Sequence, residues 1–179
     1  MPTGSYRLAD GTTEHFSCAP GPAGWRYTSD QLDLTVDGAW SVLRLVATSG
    51  AWRLRGGRAG AELHWRRDED EHRQRAQGFT GTSPAYDVVV ARSLGLPVGG
   101  SARVRLVDVL PPVLATRTVD LQWKRVQADD NDLPLEAYDV DDLATGERRR
   151  VHLVGDVAVD RLVHLDTPPS GLTAFGLRP

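Results

Sequence analysis

Lysine and asparagine occur once each in this chain of 179 residues, at Lys124 and Asn131, cysteine occurs once, at Cys18, and isoleucine is absent. A single thiol excludes an internal disulfide, and with it the stapled scaffolds of small secreted domains. No apolar run approaches the ~20 residues that a membrane-spanning helix needs. Met1 to Arg7 also lacks the basic start and the apolar stretch of a signal peptide. A soluble protein of the reducing cytoplasm, without integral membrane association, is the expectation. The arginine-for-lysine bias and the missing isoleucine have the look of codon pressure, so arginine abundance carries little functional weight. Net charge is −3 and the arginines are dispersed among 24 acidic residues, which gives no basic stripe and makes nucleic acid an unexpected partner.

Catalytic motifs are missing as well. There is no Gly-x-Ser-x-Gly elbow, and Cys18 has no motif pairing it with a histidine. Gly78 to Ser83 lacks both the Gly-Lys-Ser/Thr ending of a phosphate loop and the glycine spacing of a dinucleotide site, so it reads as a capped turn. His15, His64, His72, His152 and His164 form no His-x3-His pair, and no metal or cofactor is expected. Asp129, Asp130, Asn131 and Asp132 lack the positions of a calcium loop. Asp139 and Asp141 share one face of a strand, without a signal that would raise one of them into a general acid. The mixed-charge run from Arg66 to Arg75 reads as a solvated loop.

What the chain does have is alternation. Leu32, Leu34 and Val36 face one way and Asp33, Thr35 and Asp37 the other, and Asp37-Gly38 is the strongest hairpin signal present. Further strands are expected over Gly11 to Cys18, Trp25 to Thr28, Trp40 to Thr48, from Trp52 to a stop at Gly56-Gly57, and around Leu63 and Trp65. After a helical segment, Ala102 to Val109, Val119 to Lys124, Leu135 to Leu143, Val151 to Val154 and Val157 to Leu165 continue the pattern. Short turns favour antiparallel neighbours throughout. The lone helix, Ser83 to Leu94, has Ser83 as N-cap, Pro84 at its first position, Asp87 near the positive end, Arg92 near the negative end, and Gly95 and Pro97 to stop it. Tyr86, Val89, Val90 and Leu94 make its apolar face. The run Val88-Val89-Val90 argues against it, because β-branched side chains lose rotamer freedom in a helix. The expected fold is one domain over residues 1–179, mainly β (α+β): a curved antiparallel sheet, a half-barrel or β-roll, with one covering helix. The tail after Pro168-Pro169 reads as a surface extension with Phe175 tucked in.

Trp40, Trp52 and Trp65 recur at spacings of 12 and 13 residues, one per strand. Two readings compete. Each indole buries about 150–250 Å² and serves a core well. Alternatively, Trp40, Trp52, Trp65, Tyr86 and Trp123 line a concave pocket for an apolar or sugar-bearing ligand.

The stretch Gly78-Phe79-Thr80-Gly81-Thr82-Ser83-Pro84, continued by Arg92 to Gly100 and the strand Ala102 to Val109, resembles a glycolipid-binding family of bacterial proteins. That family has a Thr-Pro-Phe-Thr-Asn-Thr-Leu-Pro-like segment, a short helix and a glycine-containing turn before a strand. Leu34 to Asp37 with Trp40, and Asp160 to Val163, look like its other landmarks. Gly81 stands where the family has asparagine, and the paired arginines soon after the proline are missing. The resemblance implies a curved sheet wrapped around a helix, similar to the LolA/LolB-like lipoprotein carriers, with an apolar cavity and no catalytic residue. The functional expectation is accordingly non-enzymatic binding of a lipid, glycolipid or similar amphiphile between sheet and helix. Two alternatives stay open: an enzyme acting on a small hydrophobic substrate, and an interaction module that forms a homodimer and has no cavity.

Overall fold

The computed structural model describes residues 1–21, 24–128 and 134–167. Strands β1 (Thr3–Arg7), β2 (Thr13–Gly21), β3 (Gly24–Ser29), β4 (Leu32–Asp37), β5 (Val42–Ser49), β6 (Trp52–Ala59), β7 (Glu62–Arg67) and β8 (Asp70–Gln74) follow one another as a meander of adjacent antiparallel pairs. Alternation makes one side of this long sheet apolar: Leu32, Leu34 and Val36 on β4 are all buried, with half-buried polar neighbours between them. Next come β9 (Gly78–Gly81), helix α1 (Ala85–Leu94), β10 (Ser101–Leu110), β11 (Ala115–Val126), β12 (Leu135–Asp142), β13 (Arg148–Val154), β14 (Val157–Ala158) and β15 (Leu162–Thr167). Strands β9 to β14 form a second, six-stranded sheet that curls into a half-barrel, while β15 crosses over to pair with β1 at the edge of the long sheet. The fold is mainly β with a single helix among the described residues, as the alternation implies.

Several local readings differ from the structure, among them the start of the strand at Trp40, which instead precedes β5 in the turn with φ 64°. The charged run does not stay a loop, because Asp70–Gln74 pairs with β7 as β8. Gly56-Gly57 does not end β6, which continues to Ala59. Strand β9 pairs parallel with β10 rather than antiparallel, since α1 supplies the crossover that parallel neighbours require. The acidic segment 129–132 and the tail with Phe175 lie outside the described residues.

Helix α1 buries more than one stripe. Ala85, Tyr86, Val88, Val89, Val90 and Ala91 are all buried, which covers every side of its first two turns. A helix enclosed in this way gains more from apolar contact than the valine run loses in rotamer freedom. Its end is set by Gly95, which takes the left-handed conformation (φ 53°) and donates its N–H to the Ala91 carbonyl at 3.2 Å.

Candidate ligand-binding site

On four neighbouring strands of the curled sheet the inward-facing row changes from apolar to charged. On β10, Val104 and Leu106 lead to Asp108, and on β11, Trp123, Leu121 and Val119 lead to Arg117. On β12, Tyr138 and Val140 lead to Asp142, and on β13, Leu153 and Val151 lead to Arg149. Register then gathers these ends: Asp108 lies opposite Arg117, Leu121 opposite Asp142, and Val140 opposite Arg149. The result is an open basin of about 370 Å³, with Val119, Leu121 and Val140 among its lining and Thr80 and Gly81 of β9 beside it. Asp87 in the first turn of α1 borders it, as do Glu147, Arg148 and Arg161.

Ion pairs fix these charges. Arg149 clamps Asp87 through two hydrogen bonds, of 2.9 and 2.7 Å, tying the start of α1 to β13. Arg117 donates to Asp108 at 3.0 Å. Arg161 donates to the Thr82 carbonyl at 3.2 Å, and Asp142 accepts the backbone N–H groups of Ala144 and Thr145. The basin therefore offers donors and acceptors side by side above an apolar floor. The other end of α1 carries a separate set of ion pairs. Arg92 bonds Glu136 at 2.8 Å and Asp156 at 3.2 Å, and Arg125 and the Tyr138 hydroxyl also reach Glu136.

None of the five aromatic residues singled out from sequence lines this basin. Trp40 packs on Trp25 with ring centroids 5.5 Å apart. Trp52 is partly exposed under the Arg67 guanidinium. Trp65 stacks on His72 and meets the edge of Phe79. Tyr86 is buried in the core on α1, against Gly81. Trp123, fully buried against Tyr138, comes nearest, because the guanidinium of Arg149 sits 5.9 Å from its ring centre. Among the described residues no two of the five rings stack on each other.

A second cluster surrounds Glu14, which is only 2% exposed. Its Oε1 accepts from Ser29 at 2.6 Å and from Ser83 at 3.1 Å, while Oε2 has no partner and no cation is paired with it among the described residues. Burial raises its pKa, partly offset by the two serine hydroxyls and the nearby Tyr27 hydroxyl. The adjoining concavity measures about 30 Å³, on the scale of a single water, and admits no substrate to the carboxyl. A carboxyl whose folded pKa lies above its unfolded one gives full stability below the unfolded value, and loses it as pH rises through the folded value. Glu14→Gln keeps the shape and removes the ionisation. Its unfolding midpoint should match that of the parent at pH values below the ordinary glutamate pKa and exceed it as pH rises above that value; thermal scans in acidic and neutral buffers check this. Cys18 is likewise buried, and desolvation pushes its thiol up to about 12, so it is no nucleophile at neutral pH.

Asp87, Asp108, Arg117, Asp142 and Arg149 were not candidates from sequence. The signal that could have exposed them is the charged residue that breaks each inward row of β10 to β13, readable only once strand register is known.

No family model matches the chain, and no curated protein matches it by sequence. Its fold is similar to a crystal structure of a DUF1089 family protein from Pseudomonas aeruginosa, with a TM-score of 0.56, 22% identity, and 90% of each chain covered. That likeness concerns the fold alone.

Proposed function

We propose that this protein binds an amphiphilic small molecule, of the lipid or glycolipid kind, without transforming it. The head group would occupy the basin between the curled sheet and the start of α1. The supporting observation is the basin's composition: paired arginines and carboxylates, able to donate to and accept from hydroxyl groups, stand over Val119, Leu121 and Val140. A hydroxyl-rich ring has this mixture of polar edge and apolar face, and a cavity near 370 Å³ is within the range of small-molecule sites. Methylenes next to the head would add about 0.8 kcal/mol each on burial against the floor. In this reading the protein is a cytoplasmic carrier that needs neither metal nor cofactor. Among the described residues no helix is long and apolar enough to cross a membrane.

Octyl β-glucopyranoside below its micelle concentration is a suitable probe. Isothermal titration should give saturable binding, and Val119→Trp, which fills the basin from its floor, should weaken it at least about tenfold, or ~1.4 kcal/mol, while the circular dichroism spectrum is unchanged. Absence of saturable heat with the parent, or undiminished binding by the folded variant, would count against the proposal.

A further inference from the structure

Exposed arginines on the outer faces of both sheets are generally matched to acids. Asp33 is shared by Arg26 and Arg44, Asp120 by Arg103 and Arg105, while Arg148 pairs with Asp141 and Arg150 with Asp139. Several arginines have no acidic partner among the described residues, Arg73 on β8 among them, but Arg53, Arg55 and Arg66 line one concavity together without one. Arg55 on β6 lies directly opposite Arg66 on β7, and Arg53, two residues along β6, shares their face. Like charges placed directly opposite each other across a strand pair are unfavourable. Among the described residues none of the three has an acidic partner within 4.0 Å. Glu71, which faces Arg66 from β8, forms no such pair, and neither does Asp68 at the rim. The three side chains and Asp68 enclose a surface concavity of about 210 Å³.

We propose that Arg53, Arg55 and Arg66 form a binding site for a phosphate group, independent of the basin, with which they share no lining residue. Guanidinium groups present planar forks of donors that match phosphate oxygens, and three converging forks suit a tetrahedral anion better than a planar carboxylate, which two satisfy. A bound dianion would remove the repulsion that the empty site sustains. The phosphate could belong to a soluble metabolite or to a phospholipid head, and experiment separates the two.

Thermal unfolding is followed while inorganic phosphate replaces chloride at constant ionic strength, so that general screening is the same in both. Phosphate should raise the midpoint beyond chloride in a saturable manner. Arg66→Glu should abolish that increment, because it replaces one of the three guanidinium groups with a carboxylate that repels the anion. In a second arm, phosphatidylcholine vesicles are compared with vesicles that also contain phosphatidic acid. Retention on the latter that is lost in Arg66→Glu and displaced by inorganic phosphate assigns the site to a lipid head. A phosphate increment without vesicle binding assigns it to a soluble phosphate. A midpoint that rises no more with phosphate than with chloride, or an increment that persists in Arg66→Glu, overturns the proposal. Arg66 lies outside the basin, so glucoside binding should be the same in parent and Arg66→Glu.

Discussion

Trp123→Ala should destabilise the fold by about 3–5 kcal/mol, the range for emptying a fully buried large aromatic site. The indole is fully buried on β11, with Tyr138 edge-on at 5.8 Å and the Arg149 guanidinium at 5.9 Å from its ring centre. Removing it takes away the packing partner of Tyr138 and the ring face beneath the arginine that clamps Asp87. The loss should therefore spread to the basin. Chemical denaturation should show the midpoint falling while the dependence on denaturant stays the same, if the transition remains two-state. Trp123→Phe, which keeps most of the volume, should lose far less. An alanine variant within about 1 kcal/mol of the parent would mean that the site collapses freely and that the ring is not a fixed support.

Gly56→Val is the second large effect, with at least about 3 kcal/mol expected, beyond the usual cost of overpacking. A Cβ at this position would meet Trp65 Cβ at 2.8 Å, the His64 carbonyl oxygen at 2.9 Å and Phe79 Cζ at 3.1 Å. Phe79 belongs to β9, so Gly56 is the place where the two sheets come close enough for one ring to bridge them. Neither the backbone of β7 nor a buried indole can retreat without breaking strand pairing or the core. Loss of the cooperative transition on heating, or failure to accumulate as folded protein, is the expected observation. A variant with parental stability would show that the sheets can separate locally at no expense.

Gly56 also explains how far the sequence could be read. A glycine pair within an alternating run looks like a strand terminus, yet a glycine inside a strand equally marks close approach of a neighbour, and only the neighbour decides. Phe79 lies 23 residues further along the chain, out of reach of any local pattern. The meander from Leu32 to Trp65, the helix between Ser83 and Leu94, and the later strands were legible, because period-two alternation and matched helix punctuation are local signals. Strand β8 was not, since Asp70–Gln74 is polar on both sides and holds its place by pairing alone. The segment Val157 to Leu165 read as one strand, whereas β14 and β15 belong to different sheets. The site was harder still. Aromatic residues attract attention as pocket walls, but Tyr86, Trp65 and Trp123 are in the core, while the basin is built from charges scattered over β10 to β13 and the turns beyond. Asp108 is four residues past Val104 on one strand, and Arg117 four residues before Leu121 on the next; their meeting depends on register that no single segment states.

In the proposed function, the charged end of the curled sheet's inner face receives the head of an amphiphile. A co-crystal structure with octyl β-glucopyranoside tests it most directly. Sugar density is expected against Val119 and Leu121, with hydroxyl groups hydrogen-bonded to residues of the Asp87–Arg149 and Asp108–Arg117 pairs. Glucoside density confined to another surface, with this basin holding only solvent, would contradict it.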